Sequence, residues 1–313
     1  MKRRRLYITG IILSVLAVLL VLALNNIFSI LNVLRDARLH AAGYDSGTVY
    51  TDSSEIFYYR GGEGSKTVLF VHGFGVGGAT TWFDAMLDLD DSVQALVPDL
   101  PWFGRSQSRM QPSLRNQASE MWKLCDQLQV RPDAIVGISY GGFVAMEMLN
   151  QRPYGAQELL IVNSPGPAFG ADDIRQMCQR AGAPTPEDLF VPQEAAGLRK
   201  LTGFVFSDDS LPVPDFVYEQ VFESETQKHA DAKRSLMREL VAHADMYRAR
   251  MNTLHTRNGV IWSRNDRVFP LAYGQRLADT LHAEISVLEH SGHVPHPSDK
   301  KVYLEAMRRF LIR

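Results

Sequence analysis

Short, β-rich apolar runs alternate with amphipathic helical patterns along most of this chain, and that alternation restricts the fold more than any other feature. The runs fall at residues 67–71, 92–97, 134–138, 159–162, 260–262 and 285–288. Parallel strands cannot be joined by a tight turn, and the crossover between them is usually a helix, so this rhythm implies an α/β architecture with a mostly parallel central sheet. Helices are expected over residues 80–89, 114–128, 141–149, 272–281 and 300–311, and an earlier pair of strands between residues 48 and 59. The rhythm stops after Pro165. Roughly ninety residues follow without a clear strand, with amphipathic patterns at 216–222 and 235–251. The reading is therefore a core of residues 48–165 and 257–313, interrupted by a helical cap or lid at 166–256 that lies over the end of the sheet.

The N-terminus obeys a different rule. Residues 6–24 carry no charge and are almost all apolar, directly after Lys2, Arg3, Arg4 and Arg5. As a helix the run spans about 29 Å, close to the ~30 Å hydrocarbon core of a bilayer. It is longer than the apolar region of a cleaved signal peptide and has no convincing cleavage site after it. One N-terminal transmembrane helix is expected, within an anchor and juxtamembrane segment of residues 1–40. The four cations favour a cytoplasmic N-terminus, so a single-pass topology puts the folded domain on the external or periplasmic side. Ile27, Phe28, Ile30, Leu31, Val33 and Leu34 can continue the helix along the interface, and residues 41–47 read as a short linker.

Composition excludes some classes. Formal net charge is −2, which argues against nucleic acid as a partner. Cys125 and Cys178 are the only cysteines, and no Cys/His spacing suits a metal, so no structural zinc site is expected. Cys125 falls in a helical pattern as a small buried hydrophobe; whether the two cysteines pair is open, as is the oligomeric state.

The chemistry concentrates at three places. Gly137-Ile138-Ser139-Tyr140-Gly141 follows an apolar run and opens a helix. A serine on such a strained strand-to-helix turn presents its hydroxyl, and the glycines two positions to either side avoid collision with neighbouring backbone. His72-Gly73-Phe74-Gly75 follows the run at 67–71. The backbone N–H groups of Phe74 and Tyr140 are the expected oxyanion hole, two donors aimed at the charge of a tetrahedral intermediate. The base should follow the last strand. Of His290, His293 and His296, His293 comes after the small pair Ser291-Gly292, which lets an imidazole project; His290 ends the strand and His296 precedes a proline. The acid should lie between nucleophile and base. Asp266 stands just past the run at 260–262, where it would fix the imidazole tautomer; an ion pair with Arg264 or Arg267 is its plainer use. The rival position after residues 159–162 holds Asn163, whose amide cannot serve as the acid. Asp99 reads as a loop-shaping residue.

With these motifs in the order Ser139, Asp266, His293, residues 65–310 resemble the α/β-hydrolase family. The matching stretches are His72-Gly-Phe-Gly75, Asp99-Leu-Pro-Trp-Phe-Gly-Arg-Ser106, Gly137-Ile-Ser-Tyr-Gly-Gly142, Ile261-Trp262 leading to Asp266, and Ser291-Gly-His293. The chain is most similar to the membrane-anchored monoacylglycerol lipase and esterase branch, which pairs an N-terminal membrane helix with a helical cap after the sixth strand. The resemblance implies cofactor-free hydrolysis of a lipophilic ester through an acyl-enzyme. Trp102, Tyr140 and Ser263 depart from the usual Gly, Met or Gln, and Gly; Trp102 and Tyr140 are expected to narrow the acyl pocket. Phe204, Phe206, Phe216 and Phe222 are candidates to line that pocket or to form the core of the cap. The alternatives are another serine-dependent reaction (thioester, amide or carbon–carbon bond hydrolysis, or acyl transfer) and a membrane-tethered binding protein without activity.

Overall fold

The computed structural model describes residues 24–207, 212–250, 254–295 and 297–312. In chain order these form α1 (Ile27–Ala41), β1 (Asp45–Tyr50), β2 (Ser54–Gly61), β3 (Lys66–Val71), α2 (Gly78–Asp88), β4 (Val93–Pro98), β5 (Gln107–Ser108), α3 (Leu114–Gln127), β6 (Ala134–Ile138), α4 (Tyr140–Gln151) and β7 (Glu158–Val162). Next come α5 (Ala171–Ala181), α6 (Pro186–Phe190), α7 (Ala195–Phe206), α8 (Asp215–Val221), α9 (Ala230–Ala242) and α10 (Ala244–Arg248). The chain closes with β8 (Arg257–Ser263), α11 (Leu271–Leu281), β9 (Glu284–Leu288) and α12 (Lys300–Leu311).

The sheet runs β1-β2-β4-β3-β6-β7-β8-β9, with β5 paired to β2. β2 is antiparallel to both β1 and β4, and every pairing from β4 through β9 is parallel, as the sequence rhythm implies. Strand side chains alternate between two cores. Leu69, Val71, Ile135, Leu159 and Ile161 face one; Val68, Phe70, Val136, Leu160 and Val162 face the other. All ten are almost fully buried, and each such side chain contributes about 1.5–3 kcal/mol of transfer free energy. With both faces covered, the strands are uniformly apolar rather than amphipathic.

Between β7 and β8 the described residues contain helices and no strand. The expected pattern at 235–251 is split at His243 into α9 and α10. Residues 222–226 form a π-turn at the end of α8.

The apolar run at 6–24 lies outside the described residues except for Leu24, and among those described no helix is long and apolar enough to cross a membrane. α1 follows it and docks on the body. Leu39 is fully buried, and Asp36 pairs with Arg35 and with Arg105 of the core. The Phe28 N–H donates to Gln220 Oε1 of α8 at 3.2 Å, and Gln220 Nε2 donates to the Leu24 carbonyl at 2.8 Å. The outer face of α1 leaves Ile30, Leu31, Val33 and Leu34 exposed. The linker expected at 41–47 is mostly structured: Tyr44 is buried with its hydroxyl donating to the Met86 carbonyl at 2.6 Å, and β1 begins at Asp45. Cys125 and Cys178 are buried and unpaired; burial pushes the Cys125 thiol up to about 12, where it is inert at neutral pH.

Candidate active site

The turn from β6 to α4 places Ser139 at φ 53° and ψ −124°, a backbone conformation that a non-glycine residue rarely adopts. Strain of this kind persists only where the surroundings support it, and the flanking glycines leave the room it needs. A Cβ on Gly137 would lie 2.6 Å from the Gly141 carbonyl oxygen; one on Gly141 would lie 2.2 Å from that of Val71. The collision expected from the sequence is thus with main chain, which cannot rotate away.

The structure brings Ser139, His293 and Asp266 together. His293 Nε2 is 2.8 Å from Ser139 Oγ, and Nδ1 is 2.8 Å from Asp266 Oδ2. Both the imidazole and the carboxylate are buried. Asp266 also accepts a 2.8 Å bond from the Phe269 N–H at Oδ1. An ionised carboxylate only accepts, so the Nδ1 proton faces Asp266 and Nε2 is left to take the Ser139 proton. This is the tautomer a general base requires. Of the two arginines that could pair with Asp266, Arg264 pairs with Glu289 instead.

The residues expected to supply the oxyanion donors, Phe74 and Tyr140, share a cavity wall with Ser139. Tyr140 is the first residue of α4, so its N–H has no acceptor within the helix. Gly73, just before Phe74, sits so near that a Cβ there would be 3.2 Å from Ser139 Cβ. His72 holds this loop. It is fully buried; Nδ1–H donates to the Gly73 carbonyl at 2.7 Å, while Nε2 accepts the Leu100 N–H at 2.8 Å. Burial holds its pKa below the ordinary histidine value, which keeps the ring neutral and Nε2 free to accept. Asp99 shapes the adjoining loop by accepting from the Gly78 N–H at 2.6 Å and the Arg105 N–H at 2.8 Å.

Of the competing histidines, His290 is exposed and its N–H is bound by Asp299, while His296 lies outside the described residues. Asp299 also accepts from Ser291 Oγ at 2.6 Å and so braces the loop that carries His293. Neither Asp299 nor His72 stands out in the sequence as a brace, because their partners are main-chain groups and a serine that only the folded chain brings near.

A cavity of about 50 Å³ has Ser139 in its wall. Its wall is apolar: Phe74, Phe143 and Phe269 from the core, and Ile174, Met177 and Met237 among those from the insertion. Among the described residues no charged side chain lines it. Tyr140 is part of the wall, with its hydroxyl donating to Gln117 Oε1 at 2.7 Å. Trp102, expected to narrow the pocket, is not part of the lining; it packs into the core at φ 71°, with Nε1–H donating to the Ser108 carbonyl. Phe204, Phe206, Phe216 and Phe222 do not line it either. Phe204 and Phe222 are buried elsewhere in the insertion, the plainer of the two roles open to them. Among the described residues no cluster of His, Cys, Asp or Glu has the arrangement of a metal site.

Residues 68–306 match the model of the alpha/beta hydrolase family, and the chain belongs to that family. It is 23% identical over 271 residues to a 2-hydroxy-6-oxononadienedioate/2-hydroxy-6-oxononatrienedioate hydrolase of Escherichia coli, covering 80% of this chain and 89% of that protein. Two solved structures share the fold. One, described as a candidate lipase from Acinetobacter baumannii, superposes with a TM-score of 0.77 at 19% identity, over 90% of this chain and 95% of its own. The other, a membrane phospholipase A described as a bacterial virulence factor, gives 0.72 at 21% identity over 99% of both chains.

Proposed function

We propose that this chain is a serine carboxylester hydrolase for lipophilic esters, of the monoacylglycerol type, working through an acyl-enzyme. The observation that carries the reading is the apolar cavity with Ser139 in its wall, which no charged side chain among the described residues lines. Burying an acyl chain there is favourable at about 25 cal/mol per Å² of apolar surface.

The mechanism follows from the geometry. Ser139 Oγ gives its proton to His293 Nε2 and attacks the ester carbonyl. The N–H groups of Phe74 and Tyr140 hold the resulting oxyanion, and Asp266 stabilises the imidazolium. The tetrahedral intermediate collapses, His293 returns the proton to the leaving alcohol, and the acyl group stays on Ser139. Water then attacks, giving its proton to His293; collapse of the second intermediate releases the acid and restores the Ser139 hydroxyl.

Similarity to the dienedioate hydrolase favours a second reading, carbon–carbon bond hydrolysis. Such a substrate carries two carboxylates, and a buried carboxylate needs a cationic or hydrogen-bonding partner. The uncharged wall supports the ester reading over that one.

The apolar run at 6–24 and the exposed apolar face of α1 support a membrane anchor, with the N-terminus cytoplasmic and the catalytic domain outside. A reporter fused to the C-terminus tests the orientation: signal from the cytoplasmic side overturns it.

Substrate class is tested by acid release from monoacylglycerols and simple esters across chain lengths, with Ser139→Ala as the blank and a 2-hydroxy-6-oxo-dienedioate as the competing substrate. Turnover of long-chain monoacylglycerols by the wild type alone supports the proposal. Turnover of short soluble esters alone removes the lipid part, and turnover of the dienedioate alone removes the ester part.

A further inference from the structure

Both main-chain groups of the candidate base are hydrogen-bonded, one to the insertion and one to the core. The His293 N–H donates to the Val205 carbonyl at 2.8 Å, near the C-terminus of α7 in the insertion. Its carbonyl accepts from Asn163 Nδ2 of the core at 2.7 Å.

Asn163 stands just past the end of β7 and is wholly buried. Its amide is fully committed. Nδ2 also donates to Ser263 Oγ at 2.8 Å, and Oδ1 accepts the Ser263 N–H at 2.7 Å. Ser263 ends β8, three residues before Asp266. One buried amide therefore joins the end of the strand leading to the acid with the peptide of the base. The backbone at Asn163 lies at φ 45°, a conformation that asparagine tolerates better than other non-glycine residues. An aspartate would fit the space but would set a carboxylate oxygen against the His293 carbonyl, with no proton between them.

We propose that Asn163 is a positioning residue for His293, acting through the His293 carbonyl to hold the imidazole in line with both Ser139 and Asp266. The proposal rests on those three residues working as a triad. It gives the residue at the rival acid position a role that neither its type nor its place in the sequence reveals.

Two variants separate the amide from the backbone. Asn163→Gly keeps the positive φ and removes the amide; Asn163→Asp keeps the shape and replaces the donor with an acceptor. The readouts are the rate at which a serine-directed phosphonate labels Ser139, kcat and KM on an ester that the wild type turns over, and the low-field proton resonance of His293 Nδ1–H. In both variants labelling and kcat fall about a hundredfold, the loss typical of a base displaced by about 1 Å. KM stays within threefold and the low-field resonance broadens or is lost. If both variants label at the wild-type rate and keep the resonance, even with a lowered Tm, Asn163 is only structural and the proposal is overturned. Wild-type protein that fails to label, or Asp266→Asn that labels as fast as wild type, overturns the triad reading instead. Because labelling does not depend on the natural substrate, the test stands whichever ester proves to be preferred.

Discussion

Gly141→Ala should disable the site with little effect on substrate binding, and the reason is that the added methyl meets main chain. Its Cβ would lie 2.2 Å from the Val71 carbonyl oxygen and 2.5 Å from that of His72. Both belong to the end of β3 and the loop that carries the expected oxyanion donor. Real Cβ contacts essentially never fall below 3.0 Å, so the start of α4 must withdraw by about 0.8 Å. That motion takes the Tyr140 N–H out of line with the oxyanion. Loss of one such donor lowers kcat about 10²–10³-fold, or about 3–4 kcal/mol. Overpacking also destabilises the fold by about 1–3 kcal/mol.

Gly142→Ala is the control. Its Cβ would lie 2.4 Å from Ser164 Oγ and 2.5 Å from Ser164 Cβ, atoms of a side chain. With Ser164→Gly added, the nearest remaining neighbour is Ile161 Cδ1 at 3.6 Å, an ordinary contact. A double-mutant cycle should therefore show strong coupling between positions 142 and 164, with most activity regained in the double variant. The assay is steady-state ester hydrolysis beside phosphonate labelling of Ser139, with Tm measured on each protein. If Gly141→Ala keeps kcat within threefold of wild type, or Ser164→Gly rescues it as well as it rescues Gly142→Ala, the argument from backbone collision is wrong.

Three further outcomes are expected. Asp266→Asn should lower kcat about 10⁴-fold, because the amide oxygen is drawn to the Phe269 N–H, its NH₂ then faces Nδ1, and the ring is left with its proton toward Ser139; labelling rates check this. Ala244→Phe should fill part of the cavity wall, removing activity on long acyl chains while leaving short ones, as a chain-length series would show. Lys233→Met should flatten the pH dependence of stability. Burial pulls the Lys233 amine down to about 8, so below pH 8 both states carry the charge and its cost is full; between pH 8 and about 10.5 only the unfolded chain keeps the proton, and stability rises by about 3 kcal/mol. Denaturant titrations of both proteins at pH 7.5 and 10 should show that rise in the wild type only.

Some of this was open to reading from the chain alone, for definite physical reasons. A turn as strained as that at Ser139 leaves a mark, because only glycine fits beside it, and the parallel strands leave one because burial on both faces demands uniformly apolar runs. His293 was separable from His290 by the small residues before it. The four phenylalanines at 204, 206, 216 and 222 show where such reading stops. Helical spacing says which face is buried but not what it is buried against, and these side chains do not line the cavity. Trp102 was misplaced for a related reason: a positive φ turns its ring into the core, and nothing local in the sequence announces that φ. Asn163 was legible only as the absence of an acid, since its three partners, the Ser263 N–H, the Ser263 hydroxyl and the His293 carbonyl, lie 100 and 130 residues away.

The division of labour between core and insertion bears on what the family resemblance can say. Ser139, His293 and Asp266 all stand where parallel strands end, and the loops that brace them belong to the sheet. The wall of the cavity has another origin. Of the fifteen described residues in it, ten, from Phe169 to Tyr247, come from the segment between β7 and β8, and Phe74, Ser139, Tyr140, Phe143 and Phe269 come from the core. A chain can therefore keep the strand ends that carry Ser139, His293 and Asp266 and yet present a wall that disfavours a carboxylate. Desolvating an ionised group without a partner costs several kcal/mol, enough to reverse a substrate preference by orders of magnitude. Shared fold and motifs thus speak to the reaction available at Ser139. The wall that a substrate meets is supplied largely by the insertion, and the described residues it lends there carry no charge.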